Sequence, residues 1–234
     1  MAAPSKKSTP SWTGSEIAVG LEKFPTLIEE CAIGDSDDDD EELIEYYITK
    51  CGGICLGLFN TCPSNYTNTW YIQTLPHARL VETSRTDKSK NVLFAHVLAT
   101  LGKHTLVTDD DLGLPPNWRH AQTSSGGSSL GHQMSGRTIC LHSFSVCPEV
   151  QGVGLGKSAM KAYVQLMKQS EVADRISLIC KKPLVSFFSK VGFEAAGKSE
   201  TTVFGPDWYN MGNILTHYSD QDNGFQSTEK DAKE

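Results

Sequence analysis

No apolar run in the 234 residues approaches the ~18–20 that a membrane-spanning helix needs. The first residues, MAAPSKKSTPSW, carry two lysines with no apolar stretch behind them, so no secretory signal is expected. A surplus of positive charge is also missing. Lys and Arg number 21 against 28 Asp and Glu, a net charge of −7. Seven of the acids crowd into Asp35–Glu42; outside that run the two signs balance. With no basic stripe, nucleic acid is not an expected partner. The acidic run reads as a solvated loop or a helix entrance. Paired cysteines are lacking too: seven is odd, and Cys51, Cys55, Cys140 and Cys180 lie in apolar runs as small buried residues do. Reduced thiols and a cytoplasmic compartment follow as the expectation. Cys51 and Cys55 lack a second pair at ligand spacing, and His132 and His142 lack acidic or cysteine partners, so no metal is expected. What remains, 38% hydrophobic and 21% charged, suits one globular domain with a core large enough to need no cross-links.

The chain divides into tails at 1–13 and 219–234 around a domain at 14–218. Gly14–Gly20 reads as a short strand and Leu21–Cys31 as a helix. Glu41–Lys50 is a second helix, with Leu43, Ile44 and Tyr47 on one side. Gly53–Asn60 and Asn91–Leu101 are apolar strands. The polar stretch between them, about 61–90, is too long for a hairpin loop and reads as an insertion. Residues 115–137, with Pro115-Pro116 and a Ser/Gly run, read as a flexible surface loop. Thr138–Val146 is a strand. Simple alternation puts Cys140, His142, Phe144 and Val146 on one face and Ile139, Leu141, Ser143 and Ser145 on the other. A helix to about Ser170 has Met160, Tyr163, Val164 and Met167 at helical spacing. Arg175–Cys180 is a buried strand, Pro183 opens a short helix that Gly192 closes, and two strands follow at Phe193–Thr202 and Tyr209–His217.

Between strand and helix lies Gln151-Gly152-Val153-Gly154-Leu155-Gly156-Lys157-Ser158. Glycines in such a turn let backbone N–H groups wrap a phosphate, and the helix N-terminus adds a favourable dipole. The nucleotide P-loop fits only at Gly156-Lys157-Ser158, because Gln151 stands where its first glycine belongs and Lys181 where a magnesium-binding acid should end the next strand. The dinucleotide fingerprint fails at its third glycine, which is Lys157. The pattern [QR]-x-x-G-x-[GA] is matched by Gln151, Gly154 and Gly156.

That last pattern is the acyl-coenzyme A loop of the GNAT acetyltransferases, and the surrounding sequence resembles the same family. Phe187-Phe188-Ser189-Lys190-Val191-Gly192-Phe193 is similar to its F-Y-x-x-x-G-F segment. Leu141-His142-Ser143-Phe144-Ser145-Val146 and Leu184–Phe188 resemble the serotonin (arylalkylamine) branch and its fungal polyamine acetyltransferase variant, with further likeness at Phe24-Pro25, Cys55–Phe59, Ala95–Thr100, Pro116–Trp118 and Trp208–Met211. The resemblance implies an α/β (α+β) GNAT fold: a mixed sheet of about seven strands, splayed at the acetyl-CoA site and flanked by about four helices. It implies acetyl transfer to a primary amine of a small molecule, a polyamine or an arylalkylamine, by direct attack on the thioester in a monomer. Acetyl-CoA would lie along Phe144, Ser145 and Val146, with its pyrophosphate on Gln151, Gly152, Val153, Gly154, Leu155, Gly156 and Lys157.

Carried over residue by residue, the family's two strand histidines fall on Cys140 and His142. His142 is therefore the candidate proton-handling residue, with Cys140 beside it in the channel. The family's thiolate-protonating tyrosine falls on Phe188, which has no proton to give but can pack against the pantetheine end; Tyr209 is a possible substitute. Asp109-Asp110-Asp111 could draw a polyamine, or form a turn beside Gly113; Trp118 and Phe24 could stack an aromatic amine, Phe24 fitting the core equally well. The eroded acid–base set leaves a second expectation, a GNAT relic that binds acyl-CoA as a sensor or scaffold.

Overall fold

The computed structural model describes residues 38–62, 79–82, 86, 90–120 and 128–215. The strand expected at 14–20, the helix at 21–31, Phe24 and both tails lie outside the described residues. Helix α1, Asp38–Cys51, opens on acids and carries Lys50 in its last turn, both favourable to the helix dipole. Its apolar residues turn inward, with Tyr46 and Tyr47 buried. Strand β1 is Leu56–Cys62, later than sequence alone suggested, because Gly52 and Gly53 fall in a turn and Ile54 and Cys55 donate their N–H groups back to the Cys51 carbonyl. Within the polar stretch a four-residue strand, β2 (Arg79–Glu82), pairs antiparallel with the start of the long strand β3, Lys90–Gly102.

Helix α2 (Asp109–Leu112) follows, then β4 (Thr138–Val146), helix α3 (Leu155–Ser170), β5 (Arg175–Lys181), helix α4 (Lys182–Ser189), β6 (Glu194–Lys198) and β7 (Trp208–Ile214). Seven strands form one sheet in the order β1-β3-β4-β5-β7-β6, with β2 on β3 off that path. All pairs are antiparallel except β4 with β5. Segment 128–137, expected to be loose, is bonded in place. Gly131 and Gln133 donate to the carbonyls of Asp110 and Leu101, His132 N–H donates to Tyr46 Oη, and His132 Nδ1 accepts the Leu101 N–H.

The main core joins α1, α3 and the inner strands; Ile139, Met160, Ile176 and Met211 are fully buried. At roughly 1.5–3 kcal/mol for each large apolar side chain removed from water, this cluster is the principal source of stability.

One irregularity in β4 matters for everything below. Leu98 pairs with Ser143 and Ala99 with Leu141, so His142 is an extra residue, a β-bulge. The bulge reverses the alternation. Phe144 and Val146 oppose Val97 and Ala95 and therefore share the face of Ile139 and Leu141, where α3 packs; Gly156 of α3 sits against both side chains. The expected common face of Cys140, His142, Phe144 and Val146 is thus corrected. Cys140 and His142 look toward the other side, and Phe144 does not join them.

Candidate functional site

Strands β4 and β5 pair only over Thr138–Leu141 and Arg175–Leu178. Past those residues the two part, and among the described residues no strand pairs with the β5-facing edge of β4 from His142 to Val146. An extended amide-bearing ligand could use that edge as a strand would. The opening ends at the glycine turn. A short 3-10 turn, Pro148–Val150, leads into it, the Cys147 N–H is held by the Phe94 carbonyl, and Gln151 Nε2 donates to the Val146 carbonyl at 2.8 Å. Gly152 (φ 78°) and Gly154 (φ 91°) are left-handed, and no atom lies within 4 Å of where a Cβ would stand on either. The turn is therefore both shaped by glycine and open on its outer side. Gly154 caps the 16-residue α3, whose first-turn N–H groups, Leu155 to Lys157, have no partner inside the helix. Leu155 itself packs inward on Val92, Phe94 and Val150, fixing the angle at which the helix leaves the turn. Val153 and Lys157 are exposed.

Below the opening stands α4. Phe187 is half-buried with its ring 6.0 Å from that of Phe144. Phe188 is 5% exposed and turned into the core, edge-on to Phe187 and Phe193. Of the two, Phe187 faces the strand that borders the opening. Tyr209 lies on β7, half-buried, opposite Cys180.

On the other face, the His142 ring lies flat on Tyr47 of α1, centroids 4.5 Å apart and planes 2° from parallel. Its Nε2 is 2.8 Å from Thr100 Oγ1, while its Nδ1 is sealed from solvent and has no hydrogen-bond partner. Burial pushes the imidazole pKa down to about 3, so the ring is neutral at physiological pH. His96 is also buried, held near about 4 by the same cause, with Nε2 3.1 Å from Ser143 Oγ. Cys140 is fully buried among Val107, Leu112 and Ile179. Burial first, and then the Asp111 carboxylate, hold its thiol well above the usual range and so protonated. Neither Tyr47 nor Thr100 was read as a site residue in the sequence. One sits on an ordinary apolar helix face and the other in a β-branched strand, and only the fold brings them to His142.

Two side-chain groups expected near the amine have structural duties. Asp111 is buried and caps α2, its Oδ2 accepting from Thr108 N–H and Oγ1, and Asp109 holds the Thr202 N–H and hydroxyl. Only Asp110 of the triplet is exposed. Trp118 is buried, its Nε1–H donating to Glu42, its ring against Tyr46 and under Arg119, which pairs with Glu42 and Glu45. Among the described residues, no three His, Cys, Asp or Glu side chains gather as metal ligands would.

Residues 123–215 match a family model described as an acetyltransferase (GNAT) domain. The fold is the mixed α/β GNAT fold. The match spans the glycine turn, the parallel pair and α4, and covers less than half of the chain. No curated protein matches. Solved structures with similarity include the NatC complex bound to Gag peptide and CoA, at 10% identity and TM-score 0.45, covering 80% of this chain and 86% of that one. An Escherichia coli ribosomal-protein-S18-alanine N-acetyltransferase is 10% identical with TM-score 0.35, covering 71% and 98%. A GNAT-family acetyltransferase from Bacillus anthracis is 14% identical with TM-score 0.34, covering 53% and 60%. No helix among the described residues is long and apolar enough to cross a membrane.

Proposed function

We propose that the chain is an acetyl-CoA-dependent N-acetyltransferase acting on a primary amine of a small molecule, a polyamine or an arylalkylamine, as a cytoplasmic monomer. One observation carries the reading. The Gln151–Gly156 turn, with open space above Gly152 and Gly154, continues directly from the strand edge left unpaired where β4 and β5 part. The residues fit the coenzyme. The edge of Phe144, Ser145 and Val146 would pair with the pantetheine amides, and the backbone N–H groups from Gly152 to Lys157 would hold the pyrophosphate, with Val153 and Leu155 supplying only backbone. Phe187 bounds the thioester end, and Phe188 supports it from behind. Acetyl-CoA supplies a thioester carbonyl that the amine attacks, the CoA thiolate leaving and taking up the proton the nitrogen sheds.

The chain's own part is to bind, orient and exclude water. Backbone N–H groups on the parted edge of β4 are the donors for charge developing on the carbonyl oxygen. His142, neutral and stacked on Tyr47, presents no positive charge to the incoming nitrogen. The free amine is the reacting form, since an ammonium nitrogen has no lone pair to attack with, and an amine of pKa near ~10 must lose its proton first. Cys140, sealed and protonated, acts by packing.

The test is CoA release, followed with a thiol reagent from pH 6 to 9 over spermidine, tryptamine, phenylethylamine and lysine peptides. Turnover with one amine class establishes the enzyme and separates polyamine from arylalkylamine. A second reading, an acyl-CoA-binding relic, is favoured by the hydroxyl missing at Phe188. It prevails if acetyl-CoA raises the melting temperature while no amine turns over.

A further inference from the structure

Thr100 and His142 form a buried pair whose proton can be assigned by counting donors and acceptors. Thr100 is fully buried, and its hydroxyl has one partner, His142 Nε2. Two arrangements satisfy that contact. If Nε2 carries the imidazole proton, it donates to Thr100 Oγ1. The hydroxyl hydrogen then has no acceptor, and Nδ1 is a second orphan. If Nδ1 carries the proton, the hydroxyl donates to Nε2, and the Nδ1–H is the one group left over. Each arrangement strands one donor, but the first strands the Nδ1 lone pair as well, so the second is preferred.

We infer that Thr100 is a positioning residue that locks His142 into the Nδ1–H form, so that His142 offers a hydrogen-bond donor, and not a base, to an oxygen acceptor. The inference deepens the acetyltransferase reading for the role it assigns, but the proton assignment stands on the free protein. The surroundings agree. The ring lies against Tyr47 from α1 and Thr100 from β3, and Cys140 stands two residues before it on β4 with the Asp111 carboxylate against its thiol. Asp111 is engaged by Thr108 and Cys140, so no free carboxylate stands by to accept the Nδ1 proton. Two further buried polar atoms lack partners, Ser177 Oγ and Asn210 Oδ1. Register places them on this same face: Ser177 pairs with Cys140, and Asn210 with Ile179, which shares the face of Ser177. Ser177 lies one strand from His142 and Asn210 two strands away, with its amide nitrogen turned to the Lys198 carbonyl of β6, so the three orphans do not share one oxygen. The acceptor for the Nδ1–H is an oxygen at the ring itself, of an internal water or of the substrate carbonyl.

The experiment is histidine-selective nitrogen NMR on the full chain, which reports which ring nitrogen carries the proton. The expected result is His142 as the Nδ1–H form at pH 7, kept in Thr100→Ser and lost or mixed in Thr100→Val. The Val variant should lower kcat about tenfold, leaving KM for acetyl-CoA unchanged, as loss of a fixed donor does. Adding CoA, and then acetonyl-CoA, a stable thioether bearing a carbonyl, distinguishes the two oxygen sources. An Nδ1–H signal that moves only with acetonyl-CoA marks the carbonyl, and one that moves with neither marks the water. An Nε2–H form in the wild-type protein, or a Thr100→Val variant with the wild-type proton position, overturns the inference. Failure of the acetyltransferase reading would appear separately, as no thermal shift with acetyl-CoA and no turnover, with the NMR assignment intact.

Discussion

His142 sits where three influences meet: an extra residue in its strand, a hydroxyl from the neighbouring strand and a flat tyrosine ring. Its uncharged ring leads to a pH prediction. Since the imidazole does not titrate near neutrality, kcat/KM should rise steadily from pH 6 to 9 as the amine loses its proton, without an inflection near 6.5. Initial rates at subsaturating amine test this, and an imidazole inflection would refute it. Replacing His142 by Gln should lower kcat by about 10²-fold with the melting temperature little changed. Gly154 makes the complementary case. At φ 91° a Cβ costs roughly 1–2 kcal/mol, and on the proposed reading it would stand where the pyrophosphate binds. Gly154→Ala should therefore weaken acetyl-CoA binding by calorimetry by more than it lowers stability. Equal losses in both would mean that the turn is merely structural.

At the scale of elements, α3 links core to turn. Met160 is exposed to neither solvent nor the site, lying wholly within the cluster that binds α3 to the sheet. Met160→Ala should destabilise the fold by about 2–5 kcal/mol, measured by denaturant unfolding. The strands from Thr138 onward and the glycine turn could be read from the sequence because their signals are local: an apolar run, then glycine, then helical spacing of Met160, Tyr163 and Met167. The bulge left no such trace. His142 alternates correctly as a letter, and only pairing with β3 reveals it as surplus, so the face assigned to Phe144 and Val146 came out reversed. Trp118 misled for a similar reason, since an aromatic suits a pocket wall as well as a core, and the partners that decide it, Glu42 and Tyr46, are some 70 residues away. Segment 128–137 has the composition of a loop, yet its hydrogen bonds come from β3, α1 and α2.

Among the described residues, burial lowers the pKa of three histidines, His96, His132 and His142, and so ties stability to pH. The pKa of His96 in the fold is about 4 and that of His142 about 3, both below the unfolded value of about 6.5. The unfolded chain binds these protons first as pH falls. The stability they contribute is full above about 6.5 and is lost as pH drops toward 4, by up to about 3 kcal/mol for His96 alone. Melting temperatures should fall steeply over pH 6.5 to 4 and be flat above 7; a flat profile below 6 would show that these rings are hydrated. The exposed Arg119 contacts to Glu42 and Glu45 should matter far less, Arg119→Ala leaving the melting temperature almost unchanged.

The surplus residue in β4 also means that one strand is read in two frames. Up to Leu141 odd-numbered side chains meet α3; from Phe144 even-numbered ones do. Removing one residue at the bulge would restore plain alternation with the ladder to β3 kept, and Phe144 and Val146 would stay on the side of α3. What such a deletion takes away is the bend that a bulge puts into its strand. Both halves would dock on the same core, while the path of the edge beside β5 straightened. No substitution at a single site in β4 does the same, because side chains alone leave the residue count of the strand unchanged.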